Sequence, residues 1–332
     1  MGASHRFVSS LASLRLLGLA SVASLAWVLG LAAGGCGGTD NDFSEKPKAV
    51  IPEDNGPVDT KQSKSIRIGN YNTRNFFNDV IDGETPKLQE AEKVDLPSPA
   101  AYAAKLAAVA GVLRDLDADV VLLQEVENLA VLHNLIAEPA LGGRFKEARL
   151  IPANDPRGID VGVISRLPIA SAITHQEEKI GFENESYSRD CLEVHVDFNS
   201  RDIVLLGIHF RSQKDDKPEK RLAEAKYTRR IADGIAIGDP RAGILILGDF
   251  NDTPGSAPIN AIANGTVPFT NAVSLLPAPD AWTVSFGQRE IFDDQWVNPI
   301  MDRFRDASSV TVLHGHTDVS DHAPVAVTYV VQ

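Results

Sequence analysis

The chain has 332 residues, 43% hydrophobic and 23% charged, enough apolar material for one large α/β unit and not the composition of a disordered or fibrous protein. A net charge of −13 leaves no long basic stripe to neutralise a nucleic-acid backbone. Tight non-specific binding by side chains alone is therefore disfavoured, although bound cations supply positive charge locally. With only Cys36 and Cys191 present, a multi-disulfide framework is excluded.

In chain order, the first element is a leader. Arg6 and Arg15 precede a run from Leu16 to Ala33 without charge, and Gly34 and Gly35 lead into Cys36. A basic start, an apolar stretch and small residues before a cleavage point describe a secretory signal over residues 1–35. A cysteine placed directly after them resembles a bacterial lipobox, in which Cys36 is diacylated and becomes the mature N-terminus. Ala33 departs from that pattern, which prefers leucine three positions before the cysteine. An uncleaved membrane anchor is the alternative, and both readings place the remainder outside the cytoplasm. Residues 36–65 are polar, rich in Gly, Asp, Pro and Lys without apolar period, and read as a tether. The folded domain is expected over 66–332.

Within it, short β-rich runs stand at 66–72, 119–126, 161–166, 191–198, 203–209, 243–250 and 325–331. Helical patterns lie at 100–116 and 218–237, the second opening on Pro218. Alternation of strands with helices predicts an α/β architecture. Asn72, Glu125, His209 and Asp249 each fall at the end of an apolar run, and Asp321 and His322 come just before the last one. If the last strand runs antiparallel to the others, all six reach one edge of the sheets, where α/β proteins bind ligands. Cys191 lies within a strand-like run and reads as a buried free thiol.

Five segments, in order, carry a resemblance: IRIGNYNTRNFF at 66–77, VVLLQEVEN at 120–128, LGIHF at 206–210, LGDFN at 247–251 and SDHAP at 320–324. Each alone is weak. Asn72 alone would read as a turn residue, Glu125 as a strand terminus, and His209 as a satisfied polar residue. Their joint order resembles the endonuclease/exonuclease/phosphatase superfamily with the DNase I-like fold. The resemblance implies a four-layer α/β sandwich of two mixed β-sheets flanked by helices. It also implies hydrolysis of a phosphate ester by direct attack of water, dependent on Mg²⁺, with Mn²⁺ or Ca²⁺ as substitutes.

The same resemblance assigns roles residue by residue. Asn72 and Glu125 match the metal-binding Asn and Glu, with Asp321 close to the same ion; oxygen ligands of this kind suit Mg²⁺. Asp249 matches the group that aligns and deprotonates the attacking water. Asn251 and His209 match phosphate-oxygen donors, and His322 matches the histidine beside the scissile phosphate. A carboxylate is needed to orient His322 through its other ring nitrogen. Asp293 fits by spacing, with Asp294 as its rival. Arg157 is a candidate phosphate clamp or a partner of Asp160, and Arg211 is a second candidate phosphate contact.

The NxRNxF, QEVEN and RGIDV stretches look most like secreted bacterial nuclease-like members, so an extracytoplasmic, lipid-anchored, monomeric nuclease acting on nucleic acid is the leading expectation. A phospholipid, sphingomyelin or inositol-phosphate phosphodiesterase is the runner-up, suited to a membrane tether. A non-catalytic surface binding protein on the same scaffold is the third reading, disfavoured by the intact Glu125, Asp249 and His322. A zinc hydrolase built on His314, His316, Asp318, Asp321 and His322 is disfavoured because Val319 stands where its third histidine is needed. Trp282 and Trp296 read as core or cleft wall rather than a base-stacking row.

Overall fold

A computed structural model describes residues 64–331 except 84, 216 and 286. The expected leader, Cys36 with its expected lipidation, and most of the expected tether lie outside the described residues.

The first sheet contains β1 (Lys64–Phe76), β2 (Val120–Val126), β3 (Glu147–Leu150), β4 (Asp160–Ser165), β13 (Thr311–Val312) and β14 (Val325–Val331), in the order β13-β14-β1-β2-β4-β3. The second contains β5 (Ile169–Ile173), β6 (Leu192–Phe198), β7 (Arg201–His209), β8 (Gly243–Asp249), β9 (Thr270–Asn271) and β12 (Asp293–Val297), in the order β5-β6-β7-β8-β12-β9. A small hairpin of β10 (Val284–Ser285) and β11 (Arg289–Glu290) stands apart. Both large sheets are mixed: β1 pairs β2 in parallel and β14 antiparallel, while β7 pairs β8 in parallel and β12 pairs β8 antiparallel.

The strands read as continuous apolar runs because both of their faces are buried. Val120 and Leu122 of β2 point inward with Ile66 and Ile68, meeting Leu192, Val194, Leu205, Leu245 and Leu247 between the sheets. Val121 and Leu123 point outward, against α2 (Pro99–Leu116) and α3 (Leu129–Ile136) through Leu106, Val109, Leu113, Leu132 and Leu135. On the far side, Val204, Leu206, Ile208, Ile244 and Ile246 pack against α4 (Pro218–Gly238) and α5 (Ala257–Ala263) through Ala225, Ala232, Ile259 and Ile262. Helices, sheet, sheet and helices give the four-layer α/β sandwich that the sequence resemblance implied. The remaining helices are α1 (Pro86–Asp95), between β1 and α2, and α6 (Pro299–Phe304), after β12.

The helices start where local chemistry starts them. Ser98 caps α2 by accepting the N–H of Ala101 at 3.2 Å, Pro99 follows at the first turn, and Asn128 caps α3 through Val131 N–H at 3.0 Å. A polar tie crosses the middle of the sandwich: buried Gln295 of β12 donates to the Ile68 carbonyl at 2.9 Å and accepts from Tyr329 Oη at 3.0 Å. Such a pair is stable inside a core only because each polar atom has a partner. Cys191 is free and buried, as its strand-like surroundings predicted.

Candidate active site at the strand ends

Strand register assembles the site. His209 ends β7 directly opposite Asp249 at the end of β8, and Asp293 begins β12 opposite Asp249 on its other side. In the first sheet Asn72 of β1 pairs with Gln124 of β2, next to Glu125. Because β14 runs antiparallel to β1, with Asn70 facing Val325, the Asp321-His322 segment preceding it arrives at the same end.

Two local distortions aim the side chains. Gln124 opposes Val161 and Val126 opposes Asp160, so Glu125 is an extra residue in β2, bulged with φ at 61°. A bulge of this kind re-aims one side chain at a sheet edge, and the left-handed backbone of a non-glycine residue is a local strain. Gly248, just before Asp249, has φ at 135°, and a Cβ there would stand 2.1 Å from the Ile208 carbonyl oxygen. Only glycine fits, so Gly-Asp is a steric requirement of this strand end.

Asp249 is the hub. Its Oδ2 accepts from Asn72 Nδ2 at 3.0 Å and from Asn251 Nδ2 at 3.2 Å, and its Oδ1 accepts the Asn251 backbone N–H at 2.8 Å. His209 Nε2 lies 3.5 Å and His322 Nε2 3.9 Å from Oδ2. Burial pushes the Asp249 carboxyl above the usual range, against the pull of His322. His322 Nδ1 meets Asp293 Oδ2 at 2.7 Å. Burial works against a charged imidazole, but Asp293 and Asp249 outweigh it and hold His322 well above an ordinary histidine. His209 goes the other way: burial, with the cations Arg189, Arg157 and His322 nearby, holds it well below its ordinary value. The cleft therefore contains one charged and one neutral imidazole.

The rivalry between two adjacent aspartates is resolved by β12's alternation. Asp293 faces His322, whereas Asp294 turns away and accepts from Asn271 Nδ2 at 2.9 Å and Val273 N–H at 3.0 Å. Glu125 holds the Asn75 N–H on Oε2 at 2.8 Å, and its Oε1 lies 3.9 Å from His209 Nε2. Asp321 stands at the rim, 3.7 Å from Arg74.

The basic candidates divide. Arg157 does not pair with Asp160: its backbone N–H and Nε both reach Asp155 Oδ1, at 2.9 and 3.2 Å, while Asp160 accepts the Ala153 N–H at 2.9 Å. The correction has a local cause, since Asp155 two residues back forms an Asx turn with Arg157. Arg211 donates its backbone N–H to buried Glu224 at 2.7 Å. The zinc-like histidines do not gather. His314 stacks on Trp282 with ring centroids 3.9 Å apart, and His316 lies 3.8 Å from Asp115.

Two supporting residues, Arg189 and Lys105, escaped sequence reasoning, and Ser320 stood in the SDHAP stretch without an assigned role. Arg189, nearly fully buried, donates to Asp155 at 2.7 Å and to the Phe210 carbonyl at 3.1 Å, beside His209. Lys105 of α2 donates to the Val319 carbonyl at 2.6 Å, and burial lowers its pKa to about 8. Ser320 Oγ donates to the Asn72 carbonyl at 2.8 Å and accepts the His322 N–H at 3.1 Å, tying the end of β1 to the segment that enters β14.

A buried acid–histidine cluster at the ends of two packed mixed sheets defines a hydrolase-type α/β sandwich. Residues 67–266 match the model of the Endonuclease/Exonuclease/phosphatase family. The chain belongs to that family. Solved structures share the fold at low identity. A truncated Caenorhabditis elegans TDP2 is 14% identical with a TM-score of 0.56, covering 80% of this chain and 98% of that one. The human Nocturnin catalytic domain with bound sulfate is 15% identical at 0.55, covering 80% and 94%. Danio rerio TDP2 complexed with a single-strand DNA product is 16% identical at 0.53, covering 80% and 98%. Among curated proteins no relative of the sequence is found.

Proposed function

We propose that the chain is a divalent-cation-dependent phosphodiesterase, an extracytoplasmic nuclease held to a membrane by a lipid on Cys36. The observation that carries this reading is the Asp249 hub, a buried carboxylate fixed by three N–H donors and facing an imidazolium that Asp293 orients.

In this reading Asp249 takes a proton from a water as the water's oxygen bonds to phosphorus and the bond from phosphorus to the leaving oxygen breaks. A raised carboxyl pKa suits a base working near neutrality. His322, held charged, faces the phosphate and stabilises the negative charge that grows there; the leaving oxygen then takes up a proton. Neutral His209 donates to a phosphoryl oxygen. Asn251, whose Nδ2 donates to the Phe210 carbonyl at 3.0 Å and to Asp249 at 3.2 Å, donates to a second one only by exchanging one of these bonds, and Arg157, half exposed at the rim, clamps the substrate's anionic end. Arg211 is a second candidate for that contact. Glu125 fits a hard cation because one of its oxygens takes no N–H donor among the described residues. Glu125 would hold the ion, with Asn72 and Asp321 beside it. Mg²⁺ there would supply charge neutralisation at the phosphate.

Nucleic acid is favoured as substrate by the nuclease-like sequence stretches and by the single-strand DNA product named for the Danio rerio relative. The test is a panel of DNA, RNA, sphingomyelin and small phosphomonoesters with Mg²⁺, Mn²⁺, Ca²⁺ or EDTA. Cleavage of DNA or RNA that EDTA abolishes is expected; turnover of sphingomyelin alone would move the assignment to lipid. The anchor is tested by fatty-acid labelling, which is expected in wild type and lost in Cys36→Ser. Equal label in both would remove it.

A further inference from the structure

Two positions past Glu125, the end of β2 carries a second acidic residue that the site above does not use. Glu127 is 6% exposed. Its Oε2 accepts the Asn78 N–H at 2.6 Å, and its Oε1 is buried with no hydrogen-bond partner among the described residues. An unpartnered carboxylate oxygen is costly inside a protein. Two more carboxylates converge on it, Asp82 from the loop after β1 and Glu92 from α1, with one oxygen of each of the three within 4.8 Å of the others. Glu92 is itself buried and accepts the Gly83 N–H at 3.0 Å. Asp82 accepts from Asn78 Nδ2 and Asn128 Nδ2, each at 3.1 Å. No lysine, arginine or histidine among the described residues forms an ion pair with Asp82, Glu92 or Glu127. Three converging carboxylates and a buried open oxygen have no cationic partner among the described residues; burial, with Asp82 and Glu92 nearby, raises the Glu127 carboxyl to about 8.

We propose that Asp82, Glu92 and Glu127 bind a calcium ion, which fastens the 77–92 segment to the end of β2. The donor set is all oxygen, which selects a hard cation over zinc. Carboxylates gathered from a loop, a helix and a strand end form an irregular site, which calcium tolerates and magnesium, needing near-octahedral geometry, does not. Asp82 is exposed and opens the site to solvent. The consequence reaches the catalytic cleft through the backbone: the Glu127 N–H donates to the Phe76 carbonyl at 3.1 Å, and the Asn75 N–H holds Glu125 at 2.8 Å. Calcium thus steadies the strand end on which Glu125 stands, while remaining separate from the cation proposed there.

The test is thermal melting and calcium titration calorimetry on the full-length protein, in EDTA and with Ca²⁺ or Mg²⁺. Calcium is expected to raise the wild-type melting temperature, half-saturating at about 10⁻⁴–10⁻³ M, with a smaller effect of magnesium. Asp82→Asn and Glu92→Gln each remove a charge at constant shape. Both are expected to melt in EDTA no lower than wild type and to bind calcium at least about tenfold more weakly, a loss of one carboxylate ligand. Glu125→Gln is expected to keep the calcium shift. The proposal is overturned by an unchanged calcium shift in Asp82→Asn and Glu92→Gln, by its loss in Glu125→Gln alone, by a magnesium shift equal to the calcium shift in Glu125→Gln, where the other proposed cation site is weakened, or by no shift up to about 10 mM Ca²⁺.

Discussion

Two networks of histidines and carboxylates, one on β6 and partly buried, the other buried at the ends of β7, β8 and β12, are built in opposite ways. Along β6 and its neighbours, His175 meets Glu178 at 2.9 Å and Glu193 at 3.0 Å, while His195 meets Glu193 at 2.8 Å and Asp202 at 2.8 Å. Each ring nitrogen has a carboxylate and both oxygens of Glu193 are used, so the network has no polar capacity left over. At the ends of β7, β8 and β12 the accounts stay open: His209 Nδ1 and Asp293 Oδ1 are buried without partners among the described residues. The same residue types therefore make a closed chain in one place and the open cleft of the proposed active site in the other. What separates them is unsatisfied hydrogen-bonding capacity held in place by strained backbone at Glu125 and a glycine-only turn at Gly248.

The largest effect expected from breaking this contrast is at Asp249. Asp249→Asn keeps the shape and leaves a poor base, so kcat should fall by about 10²–10⁴-fold, with substrate affinity little changed. Asparagine has one acceptor oxygen where the carboxylate uses two, so an NH₂ faces a buried donor and the variant should fold but melt somewhat lower than wild type. Steady-state kinetics beside circular dichroism make the check. A folded variant keeping more than about a tenth of wild-type kcat would contradict the role of base.

How much of this was legible beforehand depends on where the information lies. Asn72, Glu125, His209, Asp249 and the Asp321-His322 pair were visible because each follows an apolar run, and the length of a run says where a strand ends. The long helices announced themselves through Pro218 and an Ala-Leu stretch. Short elements did not: α1, α5, β3 and β5 have too few residues for a period to emerge. The choice between Asp293 and Asp294 was a question of parity, settled only by the pairing of Asp293 with Asp249 across two strands. Arg189 and Ser320 act through partners 21 and 248 positions away in the chain, and no local pattern carries such contacts. The acidic triad at Glu127 was hidden for the same reason, since QEVEN reads as one motif although its two glutamates serve different surroundings.

An intermediate effect is expected in the closed network, and it is one of stability alone. Glu193→Gln leaves both histidines short of a charged acceptor and should cost about 1.5–3 kcal/mol, the worth of hydrogen bonds to charged groups, with kcat unchanged. The pH dependence follows from the shifts. Burial alone would raise Glu193, but His175 and His195 hold it at about 2, below its ordinary 4.5, so its contribution is present above pH 4.5 and lost as pH falls toward 2. His195 is raised by Glu193 against burial, and in His175 burial is outweighed by Glu193 and Glu178. Their contribution is complete below the ordinary histidine value of 6.5 and is lost as pH rises through the raised values. The melting-temperature gap between wild type and Glu193→Gln should therefore be widest between pH 4.5 and 6.5. A gap independent of pH would show that the loss is one of packing.

The smallest effect expected lies between the two networks, at Arg157. Its side chain is half exposed, and Asp155, which it engages at 3.2 Å, is also held by buried Arg189 at 2.7 Å. Removing Arg157 therefore leaves Asp155 paired and the 155–160 turn in place, so Arg157→Ala should fold with a melting temperature close to wild type. In the proposed function the positive charge matters in the other direction, as one of the cations that hold His209 low and as a cation at the rim where an anionic substrate would enter. A rim charge of this kind is worth about 1 kcal/mol or less in water-exposed surroundings, which translates to a rise in KM of about fivefold with kcat nearly constant. Raising the ionic strength should shrink the difference, because salt screens an exposed charge far more than the buried Asp249–His322 pair. Arg157→Lys, which keeps the charge but not the fork, should recover most of KM. If KM is the same in wild type and Arg157→Ala at low salt, Arg157 belongs to the closed, structural side of the comparison as a partner of Asp155 only, and the phosphate contact at the rim passes to another residue.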